Sequence, residues 1–212
     1  TIAGVRIGTA NAGSGNLIAN NSGDGILVSS ATVTGVSISH NSIYSNSEQG
    51  IDLGADDGVT ANDIGDADTG ANKLQNFPVL FGAFTNAAGT LAVSGSLNST
   101  ANSSFRIEFF SNASGDEGQT YLGYRDVLTN GSGNAVFVDR FAVVVAAGIN
   151  ITATATELTT GDTSEFSATK ATTAALIVDT FSDVLDGTTT SIANLLANKG
   201  ADGKISLREA IV

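Results

Sequence analysis

The sequence predicts an all-β chain: short stacked strands first, then a two-sheet sandwich, then a short helical tail. Three observations carry that reading. The stretch NSIYSNSEQGIDL at 41–53 echoes NLIANNSGDGILV at 16–28, an offset of 25 residues. Seven runs of alternating apolar and polar residues lie between turn clusters over 77–169. Beyond them SIANLLANK, with its end at Gly200, changes to helical spacing.

In the echo, Asn16 falls on Asn41, Ile18 on Ile43, Asn21 on Asn46, Ser22 on Ser47, Gly25 on Gly50 and Ile26 on Ile51. A repeat of this length marks a solenoid. The alternation Val36, Ile38 and later Ile51, Leu53 is strand periodicity. Short strands between Asn, Gly and Ser, once per repeat, are what one coil of a parallel β-helix needs. Coils stack at ~4.8 Å, so like residues sit over like. Inward Ile columns fill the interior, Asn tolerates left-handed corners and hydrogen-bonds along the stack, and Gly25 and Gly50 relieve crowding. These Asn residues are therefore read as structural. AGVRIG at 3–8 suggests a third coil.

Composition excludes several classes. The 212 residues are 42% hydrophobic and 14% charged, with net charge -12; this acidic balance argues against nucleic acid and against anionic membrane surfaces. Cys and Met are both absent. There is then no disulfide framework or thiol chemistry, and the chain is expected to be one piece of a longer, secreted protein whose signal has been removed. No apolar run approaches the ~18 residues that a membrane span needs.

The acidic segment GIDLGADDGVTANDIGDADTGANKLQNFPVL at 50–80 follows the coils. Asp56, Asp57, Asp63, Asp66 and Asp68 crowd it with no basic residue before Lys73. Carboxylates at that density repel, and a hard cation is the natural compensation. Asp66-x-Asp68-x-Gly70-x-Asn72 offers alternating oxygen ligands, outside the EF-hand register. Calcium held by Asp56, Asp57, Asp63, Asp66, Asp68 and Asn72 is the metal-site expectation; a solvated acidic turn is the alternative. The coils and this segment resemble the right-handed parallel β-helix repeats, and their closing segment, of large secreted bacterial and archaeal surface proteins. That resemblance implies that an immunoglobulin-like domain follows.

From Pro78 the strand candidates are 77–86, 90–97, 104–111, 120–128, 134–141, 149–157 and 163–169, a count and spacing that read as a β-sandwich. FRIEFFSNASGDEGQTYLGY and ITATATELTTGDTSEFSAT resemble the sandwich domain of the same family. Phe105, Ile107, Phe109, Tyr121 and Phe137 are the expected core. In the tail, a helix is expected over 190–198, and ISLREA at 205–210 resembles the CSLREA motif, with Ile205 in the Cys position. The departure removes a thiol and keeps the apolar bulk. Asn198, Gly200, Asp202, Gly203, Ile205, Ser206 and Glu209 fall on EF-hand-like positions, but the first two lack acids, so a structural turn is favoured.

The domain boundaries follow: 1–75 for the coils and closing loop, 76–171 for the sandwich, 172–212 for the tail. In the family the CSLREA motif stands near the start of a β-helix. An uncapped first coil and a tail bearing that motif together predict head-to-tail self-association, the tail of one copy stacking on the first coil of another. The expected function is a non-enzymatic structural unit of a secreted surface filament, sheath or adhesin, with cell-surface or carbohydrate contact. The alternative is a carbohydrate-active β-helix enzyme, lyase or hydrolase, or a sugar-binding module. Against an enzyme, the coils supply only Arg6 and His40 as bases, and the acidic pair a hydrolase needs lies in a loop better suited to metal. His40, the only histidine, is expected at a surface or corner position, which leaves triads and zinc sites without their usual parts.

Overall fold

The computed structural model describes residues 4–9, 14–54, 58–86 and 89–211. Six three-residue strands come first: β1 (Val5–Ile7), β2 (Leu17–Ala19), β3 (Ile26–Val28), β4 (Val36–Ile38), β5 (Ser42–Tyr44) and β6 (Ile51–Leu53). They pair parallel as β1 with β4, β2 with β5 and β3 with β6. The repeat therefore lies in register: Ile18 opposes Ile43, and Ile26 opposes Ile51. Val5 opposes Val36, so AGVRIG opens the first of two superimposed turns and does not form a third. The six-residue excess over the offset of 25 is accommodated between β1 and β2.

Asn side chains tie one turn to the next. Asn16 Nδ2 donates to Asn41 Oδ1 at 2.9 Å, and Asn21 Nδ2 to Asn46 Oδ1 at 2.8 Å. Gly25 is required by proximity, since a Cβ there would meet the Gly50 carbonyl oxygen at 2.6 Å. Inside, Ile26, Val28, Val36, Ile38, Ile43, Ile51 and Leu53 are buried in one cluster that also takes Phe110 and Phe166 from the second half of the chain.

That half contains two four-stranded sheets. After a left-handed turn at Ala71–Leu74 come β7 (Val79–Thr85), β8 (Leu91–Asn98), β9 (Ser104–Asn112), β10 (Thr120–Leu128), β11 (Asn134–Phe141), β12 (Asn150–Glu157), β13 (Lys170–Ala171) and β14 (Thr173–Ala174). The sheets run β10-β9-β12-β13 and β11-β8-β7-β14. They share one core: Leu91, Val93, Leu97 and Phe137 from one, Phe105, Ile107, Phe109, Ile151, Ala153 and Ala155 from the other. Six of the seven predicted strands are present, and the class is all-β.

Two expectations need correction. Tyr121 packs against the cluster of the stacked turns beside Phe110, not in the core between the sheets. Residues 163–169 are not a strand. Ser164 and Ser167 replace ladder bonds along β12: their amides donate to Ala155 and Ala153 carbonyls, while Ala155 N and Ala153 N donate to their hydroxyls. Three residues advance on one side for two on the other, so regular pairing cannot continue.

In the tail, α1 (Ile192–Ala197) is capped by Ser191, whose Oγ accepts from Asn194 N at 3.1 Å. The second helix, α2 (Leu207–Ile211), follows Ile205, which is fully buried.

Ile43 is 1% exposed and Leu17 on the neighbouring turn 68%. Ile43→Ala is expected to cost roughly 2–5 kcal/mol, and Leu17→Ala no more than about 0.5 kcal/mol, as read by denaturant unfolding.

Candidate functional site

The loop between the stacked turns and β7 is held by Asn side chains at its base. Asn62 exchanges hydrogen bonds with the Phe77 backbone at 2.8 and 2.9 Å. Asn76 accepts from Asp63 N and donates to Asp63 O, at 3.0 and 2.8 Å. Within this frame, ligand oxygens of Asp63, Asp66 and Asp68 lie within 4.8 Å of one another. Asp66 sits at φ 58°, its Oδ1 accepting from Asn76 N at 2.8 Å and its Oδ2 from Ser99 Oγ at 2.9 Å. Asp63 accepts from Ala67 N at 3.1 and 3.2 Å. Asp68 Oδ1 is buried without a hydrogen-bond partner.

Burial pushes the Asp66 carboxyl up to about 6, against the bonds from Asn76 and Ser99, and the charges of Asp68 and Asp63 push the same way. Asp68 is also raised, first by burial and then by Asp63. Three crowded carboxylates, one with an orphaned buried oxygen, fit a hard cation, for which oxygen ligands at 2.3–2.6 Å are the usual shell.

The other expected ligands divide in two. Asp56 and Asp57 lie outside the described residues. Asn72 is not brought to the cluster: its Oδ1 accepts from Val36 N at 2.9 Å, and its Nδ2 donates to Val36 O and Thr163 O at 2.7 and 3.0 Å. The amide is buried and bonded to Val36 and Thr163, so Asn72 is a structural clamp. In the tail, Glu209 accepts from the backbone of Asp186, Gly187 and Ser206; bonds from Ser206 and Gly187 hold its carboxyl down to about 2. It serves as a cap there. Among the described residues, the Asp63, Asp66 and Asp68 group is the only one with metal-ligand spacing.

His40 is a corner residue, at φ 58°, but not a surface one. Its side chain is 11% exposed, with Nδ1 2.9 Å from Glu108 Oε1 and its ring 4.0 Å from that of Tyr121. Ser39 Oγ reaches the same Glu108 oxygen and the same His40 nitrogen. Because serine and carboxylate share Nδ1, these three do not form a relay.

Sequence reasoning missed a second acidic set. Glu108, Glu117, Asp162 and Glu165, all from the two-sheet half, cap backbone amides on the outer edge of the second turn. Burial raises the Glu165 carboxyl, against bonds from Leu53 and Thr60. One signal was available: a glutamate in the middle of the apolar run FRIEFF must find donors when the strand is buried.

No helix of the described residues is long and apolar enough to cross a membrane. No protein-family model matches the chain, and no curated protein matches it.

Asp66 binds its proton more readily folded than unfolded, so in chelator its contribution rises as pH falls from above 6 toward 4 and is lost as pH climbs back through 6. Unfolding titrations of the wild type should show this gain on acidification, and Asp66→Asn should diminish it.

Proposed function

We propose that the chain is a non-enzymatic structural unit of a secreted surface filament, sheath or adhesin. In this reading the stacked turns are a short right-handed parallel β-helix, the two sheets an immunoglobulin-like sandwich, and copies associate head to tail. One observation carries it: among the described residues, β1, β2 and β3 each have a strand partner on one side only. Their other edges present unpaired backbone groups, which template the addition of another strand.

The contrast with the second turn supports the reading, because that turn's outer edge is closed by β-sandwich side chains. Apolar side chains accompany the open edge, with Val5, Leu17 and Leu27 exposed. The tail has the matching need: Val178, Phe181, Leu207 and Ile211 are exposed on a small unit whose buried large apolar side chains, among the described residues, are Leu195 and Ile205. A tail-to-turn contact is heterologous and does not close on itself, so it propagates. Calcium at Asp63, Asp66 and Asp68 would stiffen the junction between the two halves, and an acidic repeat unit needs such a cation to limit self-repulsion.

Electron microscopy of the purified chain in calcium should show fibres with an axial repeat near one protomer. Leu17→Lys with Leu27→Lys should abolish them while leaving unfolding within about 1 kcal/mol of wild type. Dispersed wild-type monomers at high concentration would sink the proposal. Separately, calcium at a hundredfold over its Kd should raise stability by about 2.7 kcal/mol, and melting that ignores chelator would remove the metal from this account.

A further inference from the structure

We propose that Lys73 and Asp162 condense into an intramolecular amide, with Glu157 carrying the proton. Lys73 Nζ lies 3.1 Å from Asp162 Oδ2 and 3.5 Å from Glu157 Oε2. Asp162 is fully buried and the Glu157 side chain 7% exposed, while the lysine side chain, 43% exposed, reaches in from the surface. The ammonium is the cationic partner of Asp162 Oδ2.

Both reactants are fixed before they meet. Lys73 follows the buried clamp Asn72, both in left-handed backbone, and its amide donates to Gly70 O at 3.0 Å. Asp162 and Glu157 face each other across a tight turn, Glu157 N donating to Asp162 O at 3.0 Å and Gly161 N to Glu157 O at 2.8 Å. Thr160 Oγ1 orients Glu157 by donating to Oε2 at 2.9 Å. Held geometry of this kind replaces a bimolecular encounter by effective molarities of roughly 10⁵ M or more.

The resting pair is ionic. Burial pulls the Lys73 pKa down, and the bond and charge of Asp162 outweigh it. Glu157 relays one ammonium proton to Asp162 Oδ2, and the freed lone pair attacks Cγ of the carboxyl so neutralised. The charge that develops on Oδ1 is met by Gly35 N, already 2.6 Å away. A second nitrogen proton passes by way of Glu157 to the Oδ2 hydroxyl, the Cγ–Oδ2 bond breaks and water departs. Ammonium plus carboxylate thus becomes amide plus water, with no oxidant and no cofactor. Condensation also removes two charges from a site where they are poorly hydrated.

The product is a covalent staple between the turn that leaves the stacked strands and the loop that seals them. It needs no head-to-tail assembly and stands or falls apart from it.

Intact-mass spectrometry of the folded chain should read one water below the sequence mass, and peptide mapping should recover the segments containing Lys73 and Asp162 joined. Lys73→Arg keeps the ion pair but cannot condense in this way; it and Glu157→Gln should both return the full sequence mass. Circular dichroism checks that each variant folds. An unshifted wild-type mass overturns the proposal, as does a water loss that persists in folded Lys73→Arg. Were the variants to unfold, the wild-type peptide map alone would decide: separate peptides refute the staple.

Discussion

The structure depends on how the outer edge of the second turn is closed. A parallel ladder of two turns ends in backbone donors with no third turn to receive them, and unpaired donors buried against another layer are costly. Side chains answer them one by one. Asp162 takes Gly35 N, Asn72 takes Val36 N, Thr163 takes Ile38 N, Glu108 takes His40 N, Glu117 takes Asn46 N and Glu165 takes Leu53 N. At β5 backbone does the same work, Ile43 N donating to Gly118 O at 2.9 Å.

This closure explains why the two halves of the chain share a core. Strand β9 is buried on both faces: Phe105, Ile107 and Phe109 look into the core between the two sheets, while Glu108 and Phe110 look at the stacked turns. Phe166 adds its ring to the same cluster, 5.4 Å from Phe110 in an edge-on contact. The irregular run through Thr163, Ser164, Glu165 and Phe166 acts as a plug because it is not a strand. Its hydroxyls satisfy β12, leaving Glu165 and Phe166 to face the turns.

The abundance of acid then has two separate physical meanings. Glu108, Glu117, Asp162 and Glu165 are each matched to backbone donors, and they hold layers together. Asp63, Asp66 and Asp68 are matched to one another, and their mutual repulsion is what a cation would relieve. The same distinction separates Lys73 from Arg106 and Arg208: it faces two buried carboxylates rather than a solvated one.

By itself, the sequence determined the elements whose cause is local or periodic. The offset of 25 set the register of β2 on β5 and β3 on β6, because identical side chains stack best on themselves, and alternation located β7 through β12. The acidic triplet was legible as charge density. What only the tertiary structure decided are the roles set by partners far along the chain. Asn72 reads as a ligand in a row of oxygens, yet residues 36 and 163 claim its amide. His40 reads as a surface or corner residue; it stands at a corner, and Glu108 and Tyr121 cover it. Residues 163–169 read as a strand until their hydroxyls meet β12. Periodicity reports which face of a segment is apolar; it does not report which distant donor or acceptor that face will meet.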